Sequence, residues 1–234
     1  MIDRESLSEE FTAGKVLLLN KPLYWTSFDL VRKIKGILRN RLGIKKIKVG
    51  HAGTLDPLAT GLMVVCTGKE TKNIDQYQSA YKEYVATVTL GATTPSFDLE
   101  TPVDATYPTG HITAEGLEQV LQGFLGRQPQ YPPAFSARFV NGRRAYELAR
   151  KGLTVDLEPR DIDIRSIELI SFADLKVQFR VVCSKGTYIR SMARDIGEKL
   201  GSGAHLSALV RTASGDFSLT NAMDIEEFER NLVL

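Results

Sequence analysis

The chain is poor in the side chains that most often build metal and redox centres. It holds two cysteines and three histidines among 234 residues, none at a spacing that suits a metal ion. Cys66 and Cys183 each close a valine-rich run, Val64-Val65-Cys66 and Val181-Val182-Cys183, and read as reduced core residues. No run of 18 or more apolar residues occurs, so no helix is expected to span a membrane. The first ten residues are acidic and lack an apolar signal core, and the expected location is cytoplasmic. A P-loop is missing as well: no glycine stands five residues before Gly68, and no Ser or Thr follows Lys69. With no nicotinamide signature either, the chemistry is expected to use no cofactor and no metal.

What is present begins with enough apolar residues, 43%, to fill the core of one large domain or two small ones. No repeat, low-complexity linker or firm boundary interrupts the chain, so residues 1–234 are read as a single domain. The net charge of +2 conceals segregation. Between Val31 and Gly50 lie Arg32, Lys33, Lys35, Arg39, Arg41, Lys45, Lys46 and Lys48 without one acid, while Tyr84 to Gly126 contains no Lys or Arg. Such a distribution predicts one positive face, suited to a polyanion.

Periodicity gives a coarse outline. Lys15 to Asn20 reads as a buried strand. Thr26 or Ser27 caps a helix to about Asn40, with Phe28, Val31, Ile34 and Ile37/Leu38 as its inward stripe. Residues 70–80 read as a short helix, and 82–91 alternate as a strand. Ala92 to Ile112, rich in Thr, Pro, Gly and Asp, reads as an acidic surface excursion. Thr113 caps a helix with Leu117, Val120, Leu121, Phe124 and Leu125 on one side, ended by Gly126. Strands over 161–171 and 175–184 precede a helix over 187–200. Strand and helix alternate irregularly, which predicts an α+β fold with a mixed, largely antiparallel sheet flanked by helices.

One stretch stands apart: Gly50-His51-Ala52-Gly53-Thr54-Leu55-Asp56-Pro57-Leu58-Ala59-Thr60-Gly61. It joins the basic run to the apolar run 62–66. Its glycines permit backbone closed to other residues, and Pro57 holds Asp56 extended. These are also ordinary turn residues, but the loop is longer than a hairpin needs and presents one carboxylate and one imidazole without a cation. An aspartate so held can act as a nucleophile, attacking an electron-poor carbon and leaving again. It must be ionised to do so, which burial opposes, so a cation is required nearby. Arg190 is the nominee, because it stands in the first turn of the last predicted helix, where the helix dipole disfavours positive charge.

The loop resembles the signature of the TruB family of tRNA pseudouridine-55 synthases, a long and specific motif, and further matches extend from Gly14 to about Phe228. The resemblance implies the pseudouridine synthase fold and isomerisation of uridine 55 in the TΨC loop of tRNA by base flipping, aspartate attack, base rotation and rejoining through carbon. Attack at ribose C1′ or uracil C6 is left open. Lys185-Gly186-Thr187-Tyr188-Ile189-Arg190 resembles a second motif, which implies that Tyr188 lines the site and Arg190 pairs with Asp56. Tyr84 reads on its own as an inward strand residue; the resemblance implies that it stacks on the uracil and accepts the C5 proton. His51, by the same resemblance, holds the RNA loop that the target nucleotide has left. Leu209 packs against the base, and Gly53, Thr54 and Leu55 lie along the substrate.

Pro132-Pro133-Ala134-Phe135-Ser136-Ala137 and Asn141-Gly142-Arg143-Arg144-Ala145-Tyr146 resemble an RNA-contacting arm, approximately 128–157. The family usually has Leu-Lys where this chain has Arg138-Phe139, so the charge moves by one position. Arg138, Arg143, Arg144, Lys45, Lys46 and Lys48 are candidate contacts to the RNA backbone. Many family members continue into a C-terminal RNA-binding domain of the PUA type, which is not expected here, and the protein is expected to act as a monomer. Two alternatives are an RNA-folding module whose modification activity is secondary, and a guide-RNA-dependent sibling synthase.

Overall fold

The computed structural model describes residues 4–140 and 142–232. In chain order its elements are α1 (Arg4–Ala13), β1 (Val16–Lys21), α2 (Ser27–Leu42), β2 (Val49–His51), β3 (Ala59–Thr67), α3 (Ile74–Ser79), β4 (Lys82–Leu90), β5 (Ala92–Thr93) and β6 (Ala105–Thr106). There follow α4 (Ala114–Gln122), β7 (Gly126–Gln130), β8 (Phe139–Val140), β9 (Arg143–Arg144), α5 (Ala145–Ala149), β10 (Arg160–Ala173), β11 (Lys176–Cys183), α6 (Ile189–Leu200), β12 (Ala204–Ser214), β13 (Phe217–Ser218) and α7 (Ile225–Arg230). They fall into two compact units, residues 1–84 with 210–234, and residues 85–209.

In the first unit β3 is the central strand, buried along almost its whole length. It pairs antiparallel with β1, from Val16↔Cys66 to Lys21↔Gly61, and with β2, from Val49↔Thr67 to His51↔Val65. The 210–214 end of β12 pairs antiparallel with β13. Gly61 has φ +103°, and a Cβ there would collide with the Arg211 backbone, so only glycine fits. Helix α2 opens on a capping box in which Thr26 and Asp29 satisfy each other's backbone N–H, and it closes on Gly43 in the left-handed conformation. Its buried stripe is Ser27, Leu30, Val31, Ile34, Ile37, Leu38 and Leu42. Phe28, expected in that stripe, is instead exposed.

In the second unit β10 pairs antiparallel with β11, with β-bulges near Ile164 and Leu169, and with β7, from Arg160↔Gln130 to Ile164↔Gly126. Alternate residues of β11, Val177, Phe179, Val181 and Cys183, are buried, the period-two pattern of a strand with one covered face. Helix α4, capped by Thr113, packs on α6 and β10.

Several expectations are corrected. Helix α4 ends at Gln122 with Gly123 as its cap, Leu125 is exposed, and Gly126 opens β7 rather than closing the helix. Residues 128–130, placed in the RNA arm, lie in that strand. The stretch 92–112 holds the β5–β6 ribbon and buries Thr94, Ser96 and Asp98. Helices α1 and α7 and strand β12 were not expected, and Asn141 lies outside the described residues.

Candidate functional site

The loop at residues 52–58 is tied down through its backbone. The Ala52 N–H donates to the Val64 carbonyl at 2.9 Å, and the Ala59 N–H to the Asp56 carbonyl at 3.0 Å. Ser27 Oγ accepts from the Leu55 N–H at 2.9 Å and donates to the Leu55 carbonyl at 3.1 Å. The Tyr24 N–H donates to the Pro57 carbonyl at 2.8 Å. Arg211 Nη2 donates to the Gly53 carbonyl at 3.1 Å, and its Nε to the Leu62 carbonyl at 2.7 Å. Gly53 adopts φ +119°, which other residues rarely hold. Thr54 is exposed, Leu55 buried and Asp56 of intermediate exposure. The result is a fixed backbone carrying one partly buried aspartate.

Two buried cations border this loop. Arg211 is almost fully buried, its guanidinium satisfied by the carbonyls named above and by the Met63 sulfur at 3.1 Å. Lys21, at the end of β1, is fully buried, and its Nζ donates to the carbonyls of Trp25 at 2.6 Å and Pro22 at 3.0 Å. Burial pushes the Lys21 ammonium down to about 8; the Asp56 charge opposes that shift and Arg211 adds to it. The Lys21 bonds fix the turn 22–25, and that turn carries the Tyr24 N–H to Pro57.

His51 closes β2 beside the loop. Its Nδ1 is buried without a hydrogen-bond partner among the described residues. Burial, helped by Arg211 and opposed by the Gly53 backbone, lowers its pKa and favours the neutral ring. Tyr84 is buried on β4, as its alternation predicts. Two positions before it, Lys82 donates to the carbonyls of Gln78 at 2.5 Å and Ala80 at 2.6 Å.

In the second unit Tyr188 is the N-cap residue of α6. The Gln130 side-chain amide grips it from both sides, accepting from the Tyr188 N–H at 2.8 Å and donating to its carbonyl at 3.0 Å. Ser191 Oγ donates to the Tyr131 carbonyl at 2.7 Å. Arg190 is buried in the first turn of α6 and forms an ion pair with the buried Asp98 at 3.6 Å. Its Nη1 also donates to the Ser96 carbonyl at 3.4 Å. Asp98, in the stretch read as a surface excursion, is thus a partner the sequence did not disclose. Leu209 is buried on β12.

Lys45, Lys46 and Lys48 are exposed and share a shallow depression with Arg32, Lys35 and Arg39. On the β8–β9 hairpin Arg143 is exposed and Arg138 half-exposed, whereas the Arg144 guanidinium lies 3.8 Å from the centre of the Phe139 ring and donates to the Ala137 carbonyl. His111 and His205 make structural bonds, to the carbonyls of Leu200 at 2.8 Å and Ala92 at 2.9 Å. Among the described residues no group of three or more His, Cys, Asp or Glu could hold a metal, and no helix is long and apolar enough to cross a membrane.

The sequence discloses the carboxylate loop but not the residues that hold it, Ser27, Lys21 and Arg211, nor, in the second unit, Gln130 and Asp98, which hold Tyr188 and Arg190. A signal existed for two of them. Lys21 ends a strand that opens Val-Leu-Leu-Leu, and Arg211 sits amid small and apolar neighbours, so each cation needed buried acceptors.

Residues 39–189 match the model of the TruB family pseudouridylate synthase N-terminal domain, and residues 190–234 that of the tRNA pseudouridylate synthase B C-terminal domain. The chain is 58% identical over 218 residues to a protein of Phocaeicola vulgatus named tRNA pseudouridine synthase B, covering 93% of each chain. A protein of the same name from Flavobacterium johnsoniae is 51% identical, with 96% of this chain and 98% of that one aligned. Among solved structures, a chain of a Cbf5-Nop10-Gar1 complex matches with a TM-score of 0.73 and 30% identity over 97% of this chain, which spans 57% of that chain's length. The fold is that of the pseudouridine synthases. Two family models that together run from residue 39 to residue 234, with relatives identical at more than half of the aligned positions, place this chain in the TruB family of pseudouridylate synthases.

Proposed function

We propose that the chain converts uridine 55 in the TΨC arm of tRNA to pseudouridine. The observation that carries this reading is the Asp56 loop, its backbone clamped at Gly53, Leu55 and Pro57. A nucleophile fixed in this way loses little freedom on reaching the reacting atom. The relatives named tRNA pseudouridine synthase B support tRNA as substrate. A neighbouring solved structure, an H/ACA RNP bound to a substrate RNA containing 2′-deoxyuridine (29% identical, TM-score 0.70), supports RNA as the partner class.

In this mechanism the uridine leaves its stack and is enclosed against Tyr84. Asp56 attacks ribose C1′ or uracil C6, and the N1–C1′ bond breaks. The uracil turns, C5 bonds to C1′, the C5 proton passes to a base for which Tyr84 is the candidate, N1 takes up a proton in exchange, and Asp56 is released. Nothing is added or removed, so the step balances as an isomerisation without a cofactor. Arg190 holds the Asp56 carboxylate charged, Tyr188 contacts that carboxylate or the base, Leu209 packs against the base, and His51 helps hold the RNA loop that the nucleotide has left. Lys45, Lys46, Lys48, Arg138, Arg143 and Arg144 contact phosphates, and the protein works as a cytoplasmic monomer with one catalytic domain. Asp56→Asn keeps the loop's backbone bonds and removes the nucleophile. Pseudouridine at position 55, mapped in tRNA treated with the variant, is expected to vanish; product formed at the wild-type rate would overturn the assignment.

A further inference from the structure

Beside the Asp56 loop the surface carries aromatic rings that the fold does not use. Tyr24 is 74% exposed and Phe28 69%. Tyr24 has φ 67°, the left-handed region where a side chain is strained and glycine is not. What the fold takes from this residue is its N–H, which binds the Pro57 carbonyl next to Asp56, and glycine would supply the same bond at lower strain. Phe28 is the second residue of α2 and lies outside its buried stripe. Two large apolar side chains are therefore presented to solvent, one of them on an unfavourable backbone.

Their surroundings are cationic. Tyr24 and Trp25 line a depression with Arg32, Lys33 and Arg39. Two carboxylates also line it, Asp29 and Glu229, each paired with an arginine at 2.8 Å, Arg32 and Arg41 respectively. Arg32, Gly36 and Arg39 also line the depression of Lys45, Lys46 and Lys48, so one basic surface borders α2 from that run to Tyr24. Gly36 stands in the middle of α2, where glycine weakens a helix, yet a Cβ added there would meet nothing within 4 Å. Packing does not demand this glycine, and its bare backbone leaves room for a chain to pass close by.

We infer that Tyr24 and Phe28 form a stacking platform for unpaired nucleotides of the substrate RNA next to the one that enters the Asp56 loop. The inference rests on the function proposed above and adds to it a recognition surface. Removing one base from a structured loop unstacks its neighbours, which then need aromatic faces. Aromatic rings beside a cationic track are how single-stranded nucleic acid is held. A protein partner would leave this run of cations unmatched, whereas phosphates match it.

The test uses an RNA hairpin with the TΨC-arm sequence and the full chain as wild type, Tyr24→Gly, Phe28→Gln and the double variant. Affinity is measured at several salt concentrations, with single-turnover conversion at saturating RNA and thermal midpoints. Each substitution is expected to weaken binding roughly tenfold, about 1.4 kcal/mol. The salt slope should stay unchanged, because no phosphate contact is lost, and saturating RNA should recover most of the rate. The midpoint of Tyr24→Gly should equal or exceed that of wild type. Binding within twofold of wild type in the double variant overturns the inference, as does a changed salt slope or a weakening matched by a lower midpoint. A wild-type protein that neither binds nor converts the hairpin overturns instead the function on which the inference stands.

Discussion

At the scale of single residues the buried cations under the loop govern how the protein answers pH. Folding pushes Lys21 down to about 8 from its ordinary 10.5. Below pH 8 both folded and unfolded chains carry the ammonium, and its burial weighs against the fold. Between about 8 and 10.5 the folded chain releases a proton that the unfolded chain keeps, so this residue adds stability as pH rises. The neutral amine still has two N–H groups for the carbonyls of Pro22 and Trp25. Urea denaturation of wild type and Lys21→Met at pH 7 and pH 10 isolates the effect. Wild type should gain on the variant by on the order of 2 kcal/mol between those values, and a difference that does not move with pH would refute the account. Asp56 could be found from its neighbours in sequence, because glycine and proline around a lone acid leave a local trace. Ser27 and Arg211 act across the fold and Lys21 within its own turn, but all three bond backbone groups, which carry no residue identity to read.

At the scale of elements, α2 shows where periodicity misleads. The expected stripe took Phe28 because it is the more apolar of two adjacent residues, yet Ser27 faces inward. A polar residue occupies the buried face because its hydroxyl closes both backbone bonds of Leu55, a requirement set by another element. Strand β12 was missed for a related reason: His205, Ser207, Arg211 and Thr212 break the apolar alternation, although His205 and Arg211 are buried and bonded. By contrast β4 and β11 alternate cleanly and were legible. The contact between β3 and β12 gives the prediction at this scale. Gly61→Ala places a methyl group against the Arg211 backbone at φ +103° and should cost roughly 2–3 kcal/mol or more, measured by urea denaturation. A loss below about 0.5 kcal/mol would mean that the two strands part easily.

For the molecule as a whole, net charge says little and its placement says more. A value of +2 would suggest weak attraction to RNA, but the cations of 32–48 form one surface. Replacing Lys45, Lys46 and Lys48 together by Glu should weaken tRNA binding and lower the steepness of its salt dependence by roughly two to three, since each lost phosphate contact removes about 0.7–0.9 from the logarithmic slope. A slope identical to wild type would show that these lysines face solvent in the complex. The Arg211–Gly53 bond bears on how the protein is made. The two residues are 158 positions apart, and the unit that contains both is completed only by residues 210–234. On the ribosome, therefore, the aspartate loop stays without its arginine clasp until some 158 further residues have followed it, and a nascent chain stalled before residue 211 would carry the nucleophile on a loop not yet set.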